Sequence, residues 1–138
     1  MRQDDKTIQV VQLQGTEKKL YALVGPIVMD PKVLKQNYNF PFRTTDKFQW
    51  YLAMKGKQVV GFLPVEHRGA QWIINNYYVE KKDADVLRLL IDEALKEEEG
   101  KRLFSAVAFI EDREVFKEKG FGEEKVWSRY VKMVRNNG

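Results

Sequence analysis

Residues 77–95, YYVEKKDADVLRLLIDEAL, place two tyrosines, two adjacent lysines and two aspartates where an extended segment gives way to an amphipathic one. Such a strand-to-helix joint can hold an anion, because the first amides of a helix lack partners within it and the positive end of its dipole points outward. Lys81 and Lys82 would strengthen that grip, whereas Asp85 in the first turn would weaken it. A carboxylate about 7 Å from a phosphate opposes it by roughly 1 kcal/mol per charge pair at an effective dielectric near 40. Asp83 suits the N-cap, so the helix end can be satisfied by its own side chains. The joint has no glycine to let a phosphate approach the backbone closely. Lys81 and Lys82 read equally well as a phosphate clamp or as a solvated turn.

For proton transfer, Glu66 and His67 are the most economical pair. His67 is the single histidine of the chain, and an imidazole has an unperturbed pKa suited to a general base. Their setting, EHRGAQ, reads as an exposed connection. Ser105 lies mid-strand and Ser128 is the other serine, which leaves little for a Ser-His-Asp triad. With no cysteine there is no disulfide, thiolate nucleophile or zinc ribbon, and no ligand spacing suggests a metal.

The elements that must position these groups follow from periodicity. A chain of 138 residues, 43% hydrophobic and 12% aromatic, is long and apolar enough for one core. Its 24 Lys and Arg against 20 Asp and Glu give a formal charge of +4 with the signs interspersed, a solvated surface with a mild preference for anions. No apolar run is long enough for a bilayer span and no leader-like segment opens the chain, so a cytoplasmic location is the expectation.

TIQVVQL at 7–13 reads as a first strand. Residues 15–40 read as two helical pieces, with Thr16 as a cap and Pro26 and Pro31 as breaks. QWYLAMK and QVVGFL are strands two and three, joined at Gly56, and Pro64 should end the third. QWIINNYYV at 71–79 is a fourth strand. The helix that follows places Leu87, Leu90, Ile91, Ala94 and Leu95 on one face, with Gly100 as its left-handed cap. RLFSAVAFI is then a buried strand. EDREVFKEKGF is a short helix capped at Gly120, with Phe121 supplying the apolar contact, and EEKVWSRYVKMVR is one or two closing strands.

In this order the pieces resemble the GNAT superfamily of N-acetyltransferases. KGKQVVGFLPV is similar to its second and third strands, VFKEKGF to its LYEKxGF helix ending, and SRYVKMVR to its last strand. The resemblance implies one α/β domain over residues 1–138, with a mixed, mostly antiparallel sheet of six or seven strands. About four helices would flank that sheet, which should splay between its fourth and fifth strands. It further implies direct, acetyl-CoA-dependent acyl transfer to a small-molecule or peptide amine, with no metal. Pantetheine would run along residues 76–79, where the backbone amides of Tyr78 and Val79 would hold it and polarise the thioester carbonyl. Pyrophosphate would meet the joint at Lys81, Lys82, Asp83 and Ala84. Phe109, Arg113 and Phe116 would flank the cofactor, with Tyr77 on the strand side.

Two departures bear on chemistry. Nothing in residues 80–85 matches the family's Arg/Gln-x-x-Gly-x-Gly/Ala pattern. The helix tyrosine that returns a proton to the CoA thiolate in many members is Phe116 here, which has no proton to donate, so Tyr78, Tyr77 or solvent would substitute. Glu66 or His67 would deprotonate the amine. Tyr38, Phe40, Phe42, Trp50 and Tyr51 would line an apolar acceptor pocket or fill the core. The same fold used for binding without catalysis is the nearest alternative. Binding of nucleic acid through Lys125, Trp127, Arg129, Tyr130, Lys132 and Arg135 is a weaker one, since strand alternation divides these residues between two faces. The exposed aromatic segments are compatible with a homodimer.

Overall fold

The structure, a computed structural model, describes residues 7–98 and 103–135. Among the described residues eight strands form one sheet: β1 (Ile8–Gln14), β2 (Phe48–Lys55), β3 (Gln58–Arg68), β4 (Gln71–Ile74), β5 (Tyr78–Val79), β6 (Leu103–Phe109), β7 (Gly122–Val126) and β8 (Tyr130–Arg135). Its order is β1-β2-β3-β4-β6-β8-β7, with β5 paired to β3. The β4–β6 pair is parallel and the others are antiparallel. The α-helices among the described residues are α1 (Lys18–Val28), α2 (Pro31–Gln36), α3 (Ala84–Glu98) and α4 (Arg113–Glu118).

Alternation along the strands builds a core on each face. Tyr51, Ala53, Leu63 and Val65 face the side covered by Leu87, Leu90, Ile91 and Ala94 of α3. Trp50, Leu52 and Phe62 face Leu20 and Val24 of α1. Gly61 is the point of close approach, since a Cβ there would stand 3.1 Å from both Val86 Cγ1 and the Tyr78 carbonyl oxygen. Its bare backbone therefore lets the first turn of α3 sit directly on β3. At the end of α4, Gly120 has φ of 94°. Its N–H donates to the Lys117 carbonyl and the Phe121 N–H to the Phe116 carbonyl. The Phe116 and Phe121 rings then meet at 5.4 Å, which is the contact this left-handed cap calls for.

Several expectations are corrected. Thr16 does not cap α1: Glu17 occupies that position without a side-chain cap bond, and the Thr16 hydroxyl instead donates to Gln14 Oε1. Pro26 lies inside α1, while Pro31 opens α2 behind the capping carboxylate of Asp30. Pro64 does not end β3, which continues to Arg68, because its second neighbour is interrupted beside it. Phe62 pairs with Tyr78 and Val65 with Ile74, so residues 63–64 face residues 75–77, one extra residue on the facing strand. That bulge divides the expected fourth strand into β4 and β5. With the closing segment forming both β7 and β8, the sheet has eight strands instead of six or seven. Gly100 lies outside the described residues.

The bulge also opens the sheet. β4 follows β6 only as far as Ile74 beside Ala106. Beyond that point β5 keeps to β3, while Val107, Ala108 and Phe109 pair only with β8. A gap therefore separates β5 from the end of β6, and the N-terminus of α3 lies beside it.

Candidate functional site

The bulge itself is held by a buried amide. Asn76 takes φ of 57°, the left-handed region that asparagine tolerates. Its Oδ1 accepts a bond from Nδ2 of buried Asn37 at 3.3 Å, and the same nitrogen donates to the Phe40 carbonyl at 3.0 Å. The connection after α2 is thus tied to the strand break.

Beyond the break, Val79 faces the gap. Its carbonyl accepts from Gln36 Nε2 at 3.2 Å, whereas the Tyr78 carbonyl lies on the Gly61 side. An extended residue points its N–H and C=O the same way and its neighbour points them the other way. Of the pair expected to hold an extended ligand, Val79 therefore presents its backbone to the gap and Tyr78 gives its own to β3. The Tyr78 side chain is also elsewhere: it packs on Phe62 in the α1-side core and borders a cavity of about 480 Å³ with Asp30 and Glu80. Burial first, then the charges of Glu80 and Asp30, push its hydroxyl pKa up.

Tyr77 fills the gap. Its buried hydroxyl donates to Asp112 Oδ2 at 2.6 Å and accepts the Phe109 N–H at 2.9 Å. Its ring meets Phe109 at 5.3 Å and Phe116 at 5.8 Å. Phe109 stacks on Tyr130 at 5.4 Å and touches Tyr38 at 5.9 Å. The space left between Tyr77, Val79, Lys82, Phe109 and Asp112 is about 10 Å³, room for about one water. Burial, reinforced by the Asp112 charge and hydrogen bond, holds the Tyr77 hydroxyl well above its usual pKa. Burial also raises the Asp112 carboxyl, although the bond from Tyr77 pulls the other way.

At the mouth, Lys82 Nζ pairs with Glu111 Oε2 at 3.0 Å across the gap. Lys81 and Lys82 both adopt positive φ, 56° and 52°. Asp83 Oδ1 accepts from the amides of Asp85 at 2.9 Å and Val86 at 3.4 Å, so the exposed start of α3, from Ala84 onward, carries its own carboxylate cap. Arg113 is exposed at the start of α4, and Phe116 is fully buried.

The structure brings together Tyr38, Tyr77, Val79, Lys82, Asp83, Phe109 and Phe116, with Phe40 beside the bulge. It does not bring Glu66 and His67. They lie four and five residues beyond Phe62, the partner of Tyr78, and at about 3.3 Å per residue that is roughly 13 and 16 Å along β3. Glu66 pairs with Arg68 at 3.0 Å and His67 stacks on Trp72 at 4.1 Å; both lie on β3 opposite Ile73 and Trp72 of β4, one strand away from the gap. Phe42 and Trp50 pack on Phe62 in the α1-side core, and Tyr51 is in the other core. In the closing strands Val131 and Met133 are buried, while Lys132 pairs with Glu124, so the basic-aromatic run presents no single face. Sequence reasoning missed Gln36, Asn37, Glu111 and Asp112, and read Tyr130 only as part of the basic-aromatic run. Glu111 and Asp112 carried one usable signal, a pair of carboxylates directly after a strand expected to border the gap.

No protein-family model matches the sequence, and no curated protein matches it. Among solved structures, Escherichia coli ElaA superposes with a TM-score of 0.72 at 17% identity, covering 93% of this chain and 99% of that one. An acyl-CoA N-acyltransferase from Pseudomonas aeruginosa gives 0.72 at 17% identity over 94% and 99%. The PaiA N-acetyltransferase of Thermoplasma acidophilum, solved in complex with coenzyme A, gives 0.62 at 10% identity over 94% and 99%. The chain has the GNAT fold. Among the described residues no helix is long and apolar enough to cross a membrane.

Proposed function

We propose that this protein is an acyl-CoA-dependent N-acyltransferase that moves an acyl group directly to an amine at the gap between β5 and β6. The observation that carries this reading is the bulge at residues 75–77, which turns the backbone of Val79 away from β3 and toward the gap. An extended arm bearing amides can pair with such a backbone, and the acyl-CoA would bring its acyl group as an activated thioester. That PaiA of the same fold was solved with coenzyme A supports placing the ligand here. The fit is better along the strand than at the joint, where Asp83 already satisfies the helix start. Lys82, on leaving Glu111, is the cation for the phosphates. Tyr77 is the hydroxyl placed to return a proton to a departing thiolate, since its ring adjoins Phe116.

A second reading, the same fold used for binding without catalysis, is favoured by one observation. The gap is tied shut by Tyr77 to Asp112 and by Lys82 to Glu111. Calorimetric titration with acetyl-CoA, with dephospho-CoA as control, decides between them. Saturable micromolar binding supports transfer; absence of binding up to millimolar acetyl-CoA overturns it in favour of the second reading.

A further inference from the structure

Phe40, Asn75, Asn76, Val107, Trp127 and Tyr130 line a pocket of about 220 Å³. It opens at the strand break, since Asn75 and Asn76 are the bulged residues. Ala106 and Ala108 belong to the core beneath α3, so by alternation Val107 places the pocket on the opposite face of the sheet. The volume is below the 300–1,000 Å³ or so usual for drug-sized ligands, which restricts the occupant to the size of an amino acid.

None of the six lining side chains is charged, and three are aromatic. The charges around them are mainly positive. The Arg129 guanidinium lies 4.5 Å from the centre of the Tyr38 ring, which itself meets Tyr130 at 5.7 Å, and its charge reaches the Tyr130 hydroxyl. Lys125 Nζ lies 5.4 Å from the centre of the Trp127 ring. The carboxylate whose charge also reaches Tyr130 is Glu111, and Lys82 offsets it at 3.0 Å. A simple ammonium ion approaching this mouth meets like charge, whereas a molecule that also carries a carboxylate does not. The aromatic walls favour a planar or branched apolar body.

We infer that this pocket takes the acceptor and selects an amine that also bears a carboxylate and an apolar, preferably aromatic, side group. Arg129 and Lys125 set the charge preference, and Phe40, Trp127 and Tyr130 set the shape. The inference rests on the transferase reading for the word acceptor, but the charge selectivity can be measured without CoA.

Trp127 forms part of the wall, so its fluorescence reports occupancy. The probes are L-phenylalanine, 3-phenylpropanoate and phenethylamine, which share the ring and differ in charge. The two carboxylates are expected to change the emission saturably, and phenethylamine to bind at least tenfold more weakly. Arg129→Gln, at an exposed position, should bring L-phenylalanine down to the level of phenethylamine with an unchanged circular dichroism spectrum. The response should vanish in Trp127→Phe, which separates it from Trp50 and Trp72. Equal or tighter binding of phenethylamine, indifference to Arg129→Gln, or no saturation by any probe overturns the inference. Acetyl-CoA titration alongside keeps the two failures apart. CoA binding without probe selectivity sinks this inference alone; probe selectivity without CoA binding sinks the transferase reading and leaves the carboxylate preference standing.

Discussion

The Tyr77 hydroxyl lies 2.6 Å from Asp112 Oδ2 and 2.9 Å from the Phe109 amide nitrogen, so a side chain from one wall of the gap is hydrogen-bonded twice to the other. The two walls belong to strands that stop pairing after Ile74 and Ala106. In that space the tyrosine does what a continuous strand pair would otherwise do: it satisfies a buried amide and excludes water. It also stands where an acyl-CoA would enter on the proposed function, so this tie must shift when the gap is filled.

Tyr77→Phe removes the donor to Asp112 and the acceptor for Phe109. Leaving those groups without their partner costs about 1–3 kcal/mol, to be read as a lower urea midpoint at unchanged slope. If Tyr77 returns the proton to the thiolate, the turnover number falls by about 10²-fold or more. That is measured as thiol release at saturating acetyl-CoA. Full turnover in a folded Tyr77→Phe protein removes Tyr77 from that role.

Phe116→Tyr places a hydroxyl where the sequence resemblance expects a tyrosine, but Phe116 is fully buried here between Tyr77 and Phe121. The added group has to find a partner in a filled core, at a cost of about 1–3 kcal/mol. The expected outcome is lower stability and no gain in turnover. A gain would show that a hydroxyl at this helix position can serve the chemistry.

Asp112→Asn keeps an acceptor for Tyr77 and removes a buried charge. Burial raises the carboxyl pKa of Asp112 in the fold. A raised folded value means that the stability linked to the protonated form is present in full below the unfolded pKa of about 3.9. That stability is lost as pH rises through the higher folded value. The variant should therefore gain on the wild type as pH rises from acid to neutral, read as a growing difference in Tm. A difference that is flat, or that shrinks with rising pH, contradicts the burial of this charge.

Glu111→Gln frees Lys82 and removes a negative charge from the mouth. The pair is largely exposed, so stability should change by less than about 1 kcal/mol. Affinity for acetyl-CoA should rise about three- to tenfold, and Lys82→Glu should lower it by at least as much; both are read by calorimetry. Equal affinities in the three proteins would show that phosphate never meets Lys82.

Much of the fold was legible because its signals are local. The apolar face of α3, the hairpin at Gly56 and the Gly120–Phe121 cap follow from periodicity and backbone geometry that a short window contains. The strand break was not legible. It depends on Asn37 reaching Asn76 from a distant connection, and the sequence 71–79 by itself alternates as one strand. Pro64 pointed the wrong way for the same reason: it tolerates its place only because the facing strand is irregular there. Once β3 runs on to Arg68, Glu66 and His67 lie within it and face β4, one strand away from the gap that β5 and β6 border. The aromatic cluster was read as one group, yet the connection between α2 and β2 sends Tyr38 and Phe40 to the gap and Phe42 to the other core. Glu111 and Asp112 acquire meaning only through Lys82 and Tyr77, about thirty residues earlier in the chain, where no local pattern couples them.

On the proposed function the Val79 backbone, turned toward the gap, receives the arm of an acyl-CoA. Hydrogen exchange of the amides at 77–79, followed with and without saturating acetyl-CoA, tests it most directly. The Val79 amide is expected to exchange at least tenfold more slowly in the presence of the ligand, with Tyr78, already turned to β3, little changed. Saturating acetyl-CoA that leaves the Val79 rate untouched would contradict it.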